Sequence, residues 1–416
     1  MAQKKTGKEK LALVGGRLID GTGKDPVENA VVQMEGNLIK KVGPKAKVKL
    51  PKKCQIIDVS GATIIPGLID CHVHLSMGRF DVLLFQTAIH EHLMMKAIKG
   101  VARARRTLEM GFTTVRDEAD VGWLACHLRD AIAQGYVEGP RILACGQYIA
   151  STGGHGDMVP WWISRNDDVS NIADGVEGVR KAVRRQIRAN TDWVKVVVTG
   201  VIFDSRAKQE WTQEELDALV DEAHGRERPV SAHAGMAKGT LAAVKAGVDT
   251  IEHGTELSDE IIELMIEKGT CLVPTLYAPW AFVRYGLKAG FPPEWVEMAK
   301  PVVKPHFDWN RKAWEAGVKI ANGSDCGMPT QPHGTNAKEL ELLAGNGMST
   351  MEAIVTATKN AAAALKLGDK LGTVEKGKLA DLVVVKGDPL SDIKILQKKE
   401  KIGLVVKDGV VCADRL

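Results

Sequence analysis

The chain has 416 residues, of which 44% are hydrophobic and 26% charged, as expected for a globular protein with room for one large domain and a small one. The net charge is only +4, with both signs interspersed, which gives no reason to expect nucleic acid as a partner. No apolar stretch approaches the length of a membrane span, so we expect no membrane association, and the basic residues 1–10 predict a flexible tail. The seven cysteines never have CxxC spacing, which disfavours disulfides or a cysteine zinc site and predicts a cytoplasmic protein.

The two ends of the chain have the same character. Residues 11–65 and 380–416 carry short β-rich runs separated by turn signals such as GTGKDP and KGDP. We therefore predict a small β-sandwich domain assembled from both ends, residues 1–65 and 380–416.

The middle, residues 66–379, alternates apolar or β-branched runs with amphipathic segments. Thr212 and Glu215 predict a capping box, and Ser258 and Gly269 are typical first and last residues of a helix. Eight strand-like runs with helical crossovers predict an α/β fold, the (β/α)8 TIM barrel. An open doubly wound sheet is the rival, but no GxGxxG follows the first strand. The eight runs are 64–74, 112–116, 141–145, 193–199, 229–233, 249–253, 271–276 and 318–325.

The strongest chemical signal is an HxH motif in the first of these runs. In a strand, side chains two residues apart point to the same face, so His72 and His74 both enter the barrel. Taken singly, each candidate ligand could have a purely structural role, such as a buried histidine bonded to the backbone or a lysine in a salt bridge at the rim of the barrel. Their recurrence on strands one, four, five, six and eight favours a metal site instead. The four later candidates are Lys195, His233, His253 and Asp325.

This pattern resembles the amidohydrolase superfamily, in its binuclear branch with a lysine ligand. Within it, the chain is similar to the prolidase and Xaa-Arg/Lys carboxypeptidase group, which includes ochratoxin-hydrolysing amidases. The resemblance covers nearly the whole chain, and its clearest segments are PGLIDCHVHL, GFTTVRD, TGGHGD and LGTVEKGKLADLVVVKGDP.

The resemblance implies a centre with two divalent metal ions, for which Zn²⁺ suits the ligand types. One metal would take His72, His74, Lys195 and Asp325, and the other Lys195, His233 and His253. By the same resemblance, Lys195 would be N-carboxylated and bridge the two metals. Asp325 would be the catalytic base that takes the proton of the attacking water and returns it to the leaving amine.

The resemblance and the loops also indicate a substrate class. His155 is predicted to contact the substrate, whereas Gly235 stands where several relatives carry tyrosine or histidine. The predicted long loops 146–170 and 277–293 are rich in aromatic residues and contain arginine, which suits a ring-bearing group and a carboxylate. We therefore expect a dipeptide or N-acyl amino acid substrate, extending to ochratoxin-type amides. The same aromatics could instead pack the loops or the interface of a homo-oligomer, which relatives commonly form. They are Trp161, Trp162, Tyr277, Trp280, Phe282 and Tyr285, with Arg165 and Arg284.

Two other functions are alternatives to a binuclear amide hydrolase. A cyclic-amide hydrolase or deaminase like imidazolonepropionase would use one metal, lack Lys195 and carry a glutamate soon after His233, where the sequence reads HAGMAKG. A non-catalytic metal-binding or assembly protein on the same barrel would have lost ligands. Of the other histidines, His127, His224 and His306 are predicted to be solvated or to pack on helices, and His333 to lie on a loop surface.

Overall fold

The computed structural model describes residues 10–77, 91–157, 171–200 and 209–416. Most of the predicted tail at residues 1–10 lies outside these ranges, and Lys10 already begins the first strand.

The chain ends together form one hydrogen-bonded sheet of eight strands. Its order is β17-β16-β15-β5-β1-β2-β3, and β4 pairs with β1 beside this path. The strands are β1 (Lys10–Leu18), β2 (Val27–Glu35), β3 (Leu38–Pro44), β4 (Gln55–Asp58), β5 (Thr63–Pro66), β15 (Leu382–Val385), β16 (Ile402–Lys407) and β17 (Val410–Asp414). The β-rich character predicted for both ends is confirmed.

This sheet encloses a hydrophobic core of its own. Val32 of β2 and Leu404 of β16 are both fully buried in one cluster, although three strands separate β2 from β16 in the sheet. Irregular pairing near Gly16 divides β1, so that its first half pairs with β4 and its last residues with β5. The sheet therefore brings side chains from distant strands into a common interior.

The middle of the chain contains parallel strands. They form two sheets, ordered β6-β7-β8 and β10-β9-β11-β12-β13-β14. The strands are β6 (Leu68–Val73), β7 (Phe112–Asp117), β8 (Arg141–Ala144), β9 (Ile149–Ala150), β10 (Asn171–Ile172), β11 (Val194–Val197), β12 (Val230–Ala234), β13 (Thr250–His253) and β14 (Cys271–Val273). Seven of the eight predicted runs thus contain a regular strand.

The eighth run is a correction to the prediction. Residues 318–325 contain one isolated bridge rather than a strand: Ile320 pairs with Leu272 of β14, and just beyond the run Cys326 pairs with Val73 of β6. Residues 318–326 are called the bridging segment below. Asn322 and Asp325 each donate a backbone N–H to a carbonyl outside this run, at Thr356 and His72. The bridging segment therefore lies between the edge strands of the two parallel sheets.

Helices connect most of these strands. They are α1 (Leu93–Glu109), α2 (Leu124–Ala133), α3 (Gly175–Arg188), α4 (Gln213–His224), α5 (Ala237–Ala246), α6 (Asp259–Lys268), α7 (Tyr277–Tyr285), α8 (Pro293–Glu315), α9 (Lys338–Gly345), α10 (Thr350–Val355) and α11 (Ala361–Ala364). A π-helical turn spans Thr356–Asn360, and 3-10 turns span Lys45–Lys47, Ile393–Gln397 and Lys399–Lys401.

The predicted helix ends are confirmed. Thr212 and Glu215 form the capping box of α4, Ser258 accepts the N–H of Ile261 in α6, and Gly269 ends α6 in the left-handed conformation. Across the described ranges, no helix combines the length and apolar character that a membrane crossing requires.

Candidate metal centre

The six predicted ligands meet where parallel strands end. His72 lies near the end of β6 and His74 just beyond it, Lys195 lies in β11, His233 in β12, and His253 is the last residue of β13. Asp325 lies in the bridging segment, one residue before the bridge to β6. Parallel strands bring their carboxyl ends to one edge, so six residues spread over 254 positions come together.

The first half of the centre consists of His72, His74 and Asp325. Oδ1 of Asp325 lies 3.1 Å from Nε2 of His74 and 3.5 Å from Nε2 of His72. One ligand atom from each of the three residues lies within 4.8 Å of the others. These are distances at which three donors can share one small cation.

The second half consists of His233 and His253. Their ring centroids are 4.5 Å apart, and the ring of His253 is 5.1 Å from that of His72, which joins the two halves. Nδ1 of His253 lies 2.7 Å from the hydroxyl of Thr275. Because that bond occupies Nδ1, Nε2 of His253 is the nitrogen left to bind a metal.

Backbone strain marks both halves. His253 has φ of +73° and Asp325 has φ of +56°, a region that side chains other than glycine seldom adopt. Such strain persists only where surrounding contacts enforce it, and it is concentrated at functional sites.

Two glycines make room for the HxH segment. A Cβ at Gly323 would lie 2.9 Å from the Cβ of His72, and one at Gly327, where φ is +128°, would lie 2.4 Å from the carbonyl oxygen of His74. Glycine is therefore required on both sides of Asp325 for the bridging segment to approach β6 so closely.

Lys195 is buried and paired. Its Nζ lies 2.5 Å from Oε2 of Glu118, which also accepts a hydrogen bond of 3.0 Å from Ser231. The side chain is only 4% exposed and Glu118 is fully buried. The pairing supplies the counter-charge that a buried ammonium needs.

The electrostatics of the centre keep three of its four imidazoles neutral. Burial lowers the pKa of His72, His233 and His253 well below the usual value, and the charge of Lys195 lowers each of them further. Burial also opposes protonation of His74, but the hydrogen bond and charge of Asp325 outweigh it and raise the pKa of His74. Neutral imidazole is the form that binds a metal.

The pKa of Asp325 is shifted in the opposite direction from that of His74. Burial alone would raise its pKa, but the hydrogen bond from His74 and the neighbouring positive charges lower it below the ordinary value. Asp325 is therefore a carboxylate in this environment.

His155 lies beside the second half. Its ring stacks on that of His233 at 5.3 Å, with an angle of 22° between the planes. Its backbone N–H donates to Oε1 of Glu210 at 2.8 Å, which ties the TGGHGD loop to the segment after β11. The predicted substrate contact is thus adjacent to the predicted ligands.

Several buried residues around the centre were missed by the sequence analysis. Arg116, Glu118 and Glu252 lie beneath the ligands, and Asp70 ties the backbone of His72 to Ser324. Burial raises the pKa of Asp70 to about 6 in spite of these hydrogen bonds. A signal was present, because Arg116 is a charged residue within a run predicted to be a buried strand, and Asp117 and Glu118 follow it directly.

Two predictions about the residues around the candidate metal centre are wrong. His333 is buried rather than on a loop surface, with Nε2 2.9 Å from the carbonyl oxygen of His74 and Nδ1 3.3 Å from Thr107. The segment 277–293 is not an extended loop, because Tyr277–Tyr285 forms α7.

The aromatic residues of α7 divide into two groups. Tyr277 and Phe282 are buried in packing, whereas Tyr285 is exposed and Trp280 is half-buried, with the cations of Arg284 and Lys338 lying 5.2 Å and 4.5 Å from its ring. The other predicted substrate-loop residues, Trp161, Trp162 and Arg165, lie outside the described residues.

The donor set fits a divalent metal. Four imidazoles, one carboxylate and one lysine converge in a buried space, and these nitrogen and oxygen donors suit zinc or a similar ion. Among the described residues, Nε2 of His233 is a buried polar atom with no hydrogen-bond partner. An unpaired buried nitrogen is costly unless something binds it, so this atom favours a ligand at the centre.

These features define an α/β protein with a candidate divalent-metal centre at the carboxyl ends of parallel strands. The sequence profile of the Amidohydrolase family matches residues 63–412, which is most of the chain. The chain belongs to the amidohydrolase family.

Known relatives agree with this assignment. The chain is 31% identical over 430 aligned positions to ochratoxinase of Aspergillus niger, covering 97% of this chain and 87% of the fungal enzyme. It is similar to the crystal structure of a Xaa-Pro dipeptidase with bound methionine, with 38% identity, a TM-score of 0.87 and coverage of 97% and 99%. It is also similar to a prolidase complexed with N-methylphosphonate-L-proline, with 31% identity, a TM-score of 0.88 and coverage of 98% and 100%.

The family and the relatives identify the enzyme class. The chain is a metal-dependent hydrolase that acts on amide bonds. Use of divalent metals in the family is consistent with the candidate ligands described above.

Proposed function

We propose that the chain is a binuclear amidohydrolase that removes an amino acid with a free carboxylate from a dipeptide or an N-acyl amino acid. The observation that carries the proposal is the convergence of four imidazoles, Asp325 and Lys195 on one buried space. The chain is similar to a Xaa-Pro dipeptidase, whose name describes cleavage of a dipeptide, to a prolidase that binds a proline derivative, and to an ochratoxinase.

The ligands would divide between two divalent metal ions, for which Zn²⁺ suits the donor types. His72, His74 and Asp325 would hold one metal, and His233 and His253 would hold the other. Lys195, carrying a carboxyl group on Nζ, would serve as a ligand to both. When bound, the metals polarise the amide carbonyl and lower the pKa of water.

Residues of the chain move the proton and orient the substrate. The carboxylate of Asp325 accepts the proton of the attacking water and returns it to the leaving amine, since it is the only carboxylate among the proposed ligands. The ring of His155, stacked on His233, contacts the substrate beside the reacting carbonyl. Gly235 carries no side chain to assist there.

The proposed substrate class follows from the rim of the site. Trp280 and the cations of Arg284 and Lys338 lie on or beside α7, which begins four residues after β14 ends. An aromatic face suits a ring-bearing acyl group or side chain, and a guanidinium suits the free carboxylate.

The substrate class is tested with N-acyl amino acids and their C-terminal amides. We expect the free acids to be cleaved with much higher kcat/KM than the amides. Equal rates for the two series would remove the carboxylate from the proposal and leave an amide hydrolase of another specificity.

Metal analysis tests the binuclear centre and separates it from the two alternatives. About two metals per chain fits the proposal, one fits a cyclic-amide hydrolase or deaminase, and none fits a non-catalytic assembly protein. Lys195 and Gly235 favour the first, because the second lacks the lysine and uses a glutamate soon after the fifth-strand histidine.

We propose a closed (β/α)8 barrel at residues 66–379 and a β-sandwich built from residues 1–65 and 380–416. Closure is supported on one side by the bridges of Ile320 and Cys326. On the other side it is supported by the carbonyl of Ala144 in β8, which accepts the N–H of Asp192 at 2.8 Å just before β11. The sandwich is supported by the core that β2 and β16 share.

A further inference from the structure

A buried ion-pair network lies directly beneath the proposed ligands. Its centre is Arg116 of β7, which is fully buried and pairs with Glu118 through Nε and with Glu252 through NH2 at 2.6 Å. Arg116 also donates to Thr250 at 3.1 Å and to the backbone carbonyl of Cys71 at 2.8 Å. A single side chain therefore contacts two carboxylates, a hydroxyl and a carbonyl, all of them buried.

Except for Thr250, each of these contacts adjoins a proposed ligand. Cys71 directly precedes His72, and Glu252 directly precedes His253. Glu118 holds Nζ of Lys195. The guanidinium also lies 4.4 Å over the ring of Trp193, two residues before Lys195. Arg116 thus joins three strands that carry ligands: β6, β11 and β13.

Glu252 connects the network to the imidazole of His72. Its Oε2 lies 2.7 Å from Nδ1 of His72, while its Oε1 is held by Arg116 and Thr250. A carboxylate only accepts hydrogen bonds, so Nδ1 of His72 carries the proton and Nε2 keeps its lone pair. Nε2 is the nitrogen that faces Asp325.

The network is not itself a metal site. Ligand atoms of His72, Glu118 and Glu252 also lie within 4.8 Å of one another. The carboxylate oxygens are already taken by Arg116, Lys195, Ser231 and Thr250. A third metal would have to displace these bonds.

We propose that Arg116 and Glu252 are positioning residues for the metal centre. Arg116 orients Glu252, and Glu252 fixes the tautomer and ring orientation of His72 so that Nε2 points to the metal. Carboxylates in this role strengthen metal binding without touching the metal. The inference rests on the proposed function, because it concerns how the ligands of that centre are held.

Arg141 provides a matched control. It too pairs with two carboxylates, Asp381 at 2.7 Å and Asp408 at 2.5 Å, and donates to a threonine, Thr114, at 2.9 Å. It lies at the start of β8, at the opposite end from the metal centre, and its carboxylate partners adjoin the sheet of the chain ends. Its removal costs a similar set of bonds without touching any proposed ligand.

The experiment compares Arg116→Met, Glu252→Gln and Arg141→Met with the wild type. Each protein is purified with its metals, and metal retention is measured against increasing concentrations of a chelator. Thermal unfolding of each protein reports its stability. We expect Arg116→Met and Glu252→Gln to bind metal about 10–100-fold more weakly. Arg141→Met should keep the wild-type affinity even if its Tm falls.

The Co²⁺ absorption spectrum gives a second readout that does not depend on activity. It should change in Glu252→Gln, which keeps the size of the side chain, and stay unchanged in Arg141→Met. Wild-type affinity and spectrum in Glu252→Gln would overturn the inference, and this holds even if Arg116→Met fails to fold. Equal metal loss in Arg141→Met would also overturn it, by attributing the effect to general stability. A wild-type protein without metal would instead overturn the proposed function, and this inference with it.

Discussion

The two halves of the metal centre are held in different ways. In the first half, His72, His74 and Asp325 already contact one another, and the second nitrogens of both histidines are anchored, by Glu252 and by the carbonyl of Ala119 at 3.1 Å. In the second half, His253 is anchored by Thr275, but Nε2 of His233 has no hydrogen-bond partner among the described residues.

The difference indicates how each half responds to metal. The bonds at Nδ1 of His72 and His74 hold both rings of the first half in place, so that their orientation changes little when a metal replaces the bond between His74 and Asp325. Within the part of the chain that the structure describes, the second half leaves a buried nitrogen unpaired, and a bound metal would satisfy it. We therefore expect the first half to retain a metal more firmly, and the second to depend more on the bridge from Lys195.

Lys195→Ala should have the largest effect, because both halves lose the bridge. We expect loss of both metals and a decrease in kcat/KM of about 10⁴-fold, equivalent to several kcal/mol of transition-state stabilisation. Elemental analysis and steady-state kinetics measure both. Acetate or bicarbonate should partly restore the activity of the alanine variant. Full activity with two metals in Lys195→Ala would refute the binuclear assignment.

Asp325→Asn should have the next largest effect. The amide keeps the shape and the bond to His74, but it cannot take a proton from water. We expect kcat to fall about 10³-fold, within the range for removal of a general base, while the protein folds normally. Turnover close to that of the wild type would transfer the base role to another residue, with His155 as the next candidate.

His233→Asn tests the comparison directly, since it changes only the second half. We expect one metal per chain to remain in the first half, and the activity to fall by about 10–100-fold. Asp325→Asn is the matched variant in the first half. The number of metals that each variant retains per chain distinguishes the two variants. Loss of both metals in His233→Asn would mean that the halves bind cooperatively and are not held independently.

The two halves also differ in how far sequence could predict them. The HxH spacing gives His72 and His74 a common face, because strand periodicity is local. The packing around them is not local: His333 was placed on the surface, yet it is buried against the carbonyl of His74, 259 positions away in sequence. Only the tertiary fold determines that contact.

Prediction of the secondary structure from sequence has the same limit, since it succeeds only where the determining contacts are local. Capping residues such as Thr212 and Ser258 predicted helix starts, since their hydrogen bonds join neighbouring residues. The run at 318–325 was apolar enough for a strand, but Asp325 turns the backbone to positive φ and only isolated bridges form. Likewise, α7 begins where Glu339, 62 positions later, accepts the N–H of Tyr277. Sequence periodicity contains no information about such a distant cap.

The smallest effect is expected at the other end of the second-half strands. Asp249 directly precedes β13 and accepts the N–H of Val230 at the start of β12, as well as bonds from His224 and Lys366. Burial alone would raise the pKa of Asp249, but these hydrogen bonds outweigh it and hold the pKa at about 2. The folded state thus binds the proton more weakly than the unfolded chain. The resulting stability is present above about pH 4 and is lost as the pH falls towards 2.

Asp249→Asn should therefore lower the free energy of unfolding by about 2 kcal/mol at neutral pH, and flatten its decline between about pH 4 and pH 2. Because Asp249 lies at the amino ends of β12 and β13, and His233 and His253 at or near their carboxyl ends, the metal content should stay at the wild-type value. Denaturant unfolding at several pH values and elemental analysis measure the two quantities. Loss of metal in Asp249→Asn without loss in Arg141→Met would show that the second half depends on the register of its strands. In that case, the weaker binding of the second metal would be caused by the amino ends of β12 and β13 rather than by the unpaired nitrogen of His233.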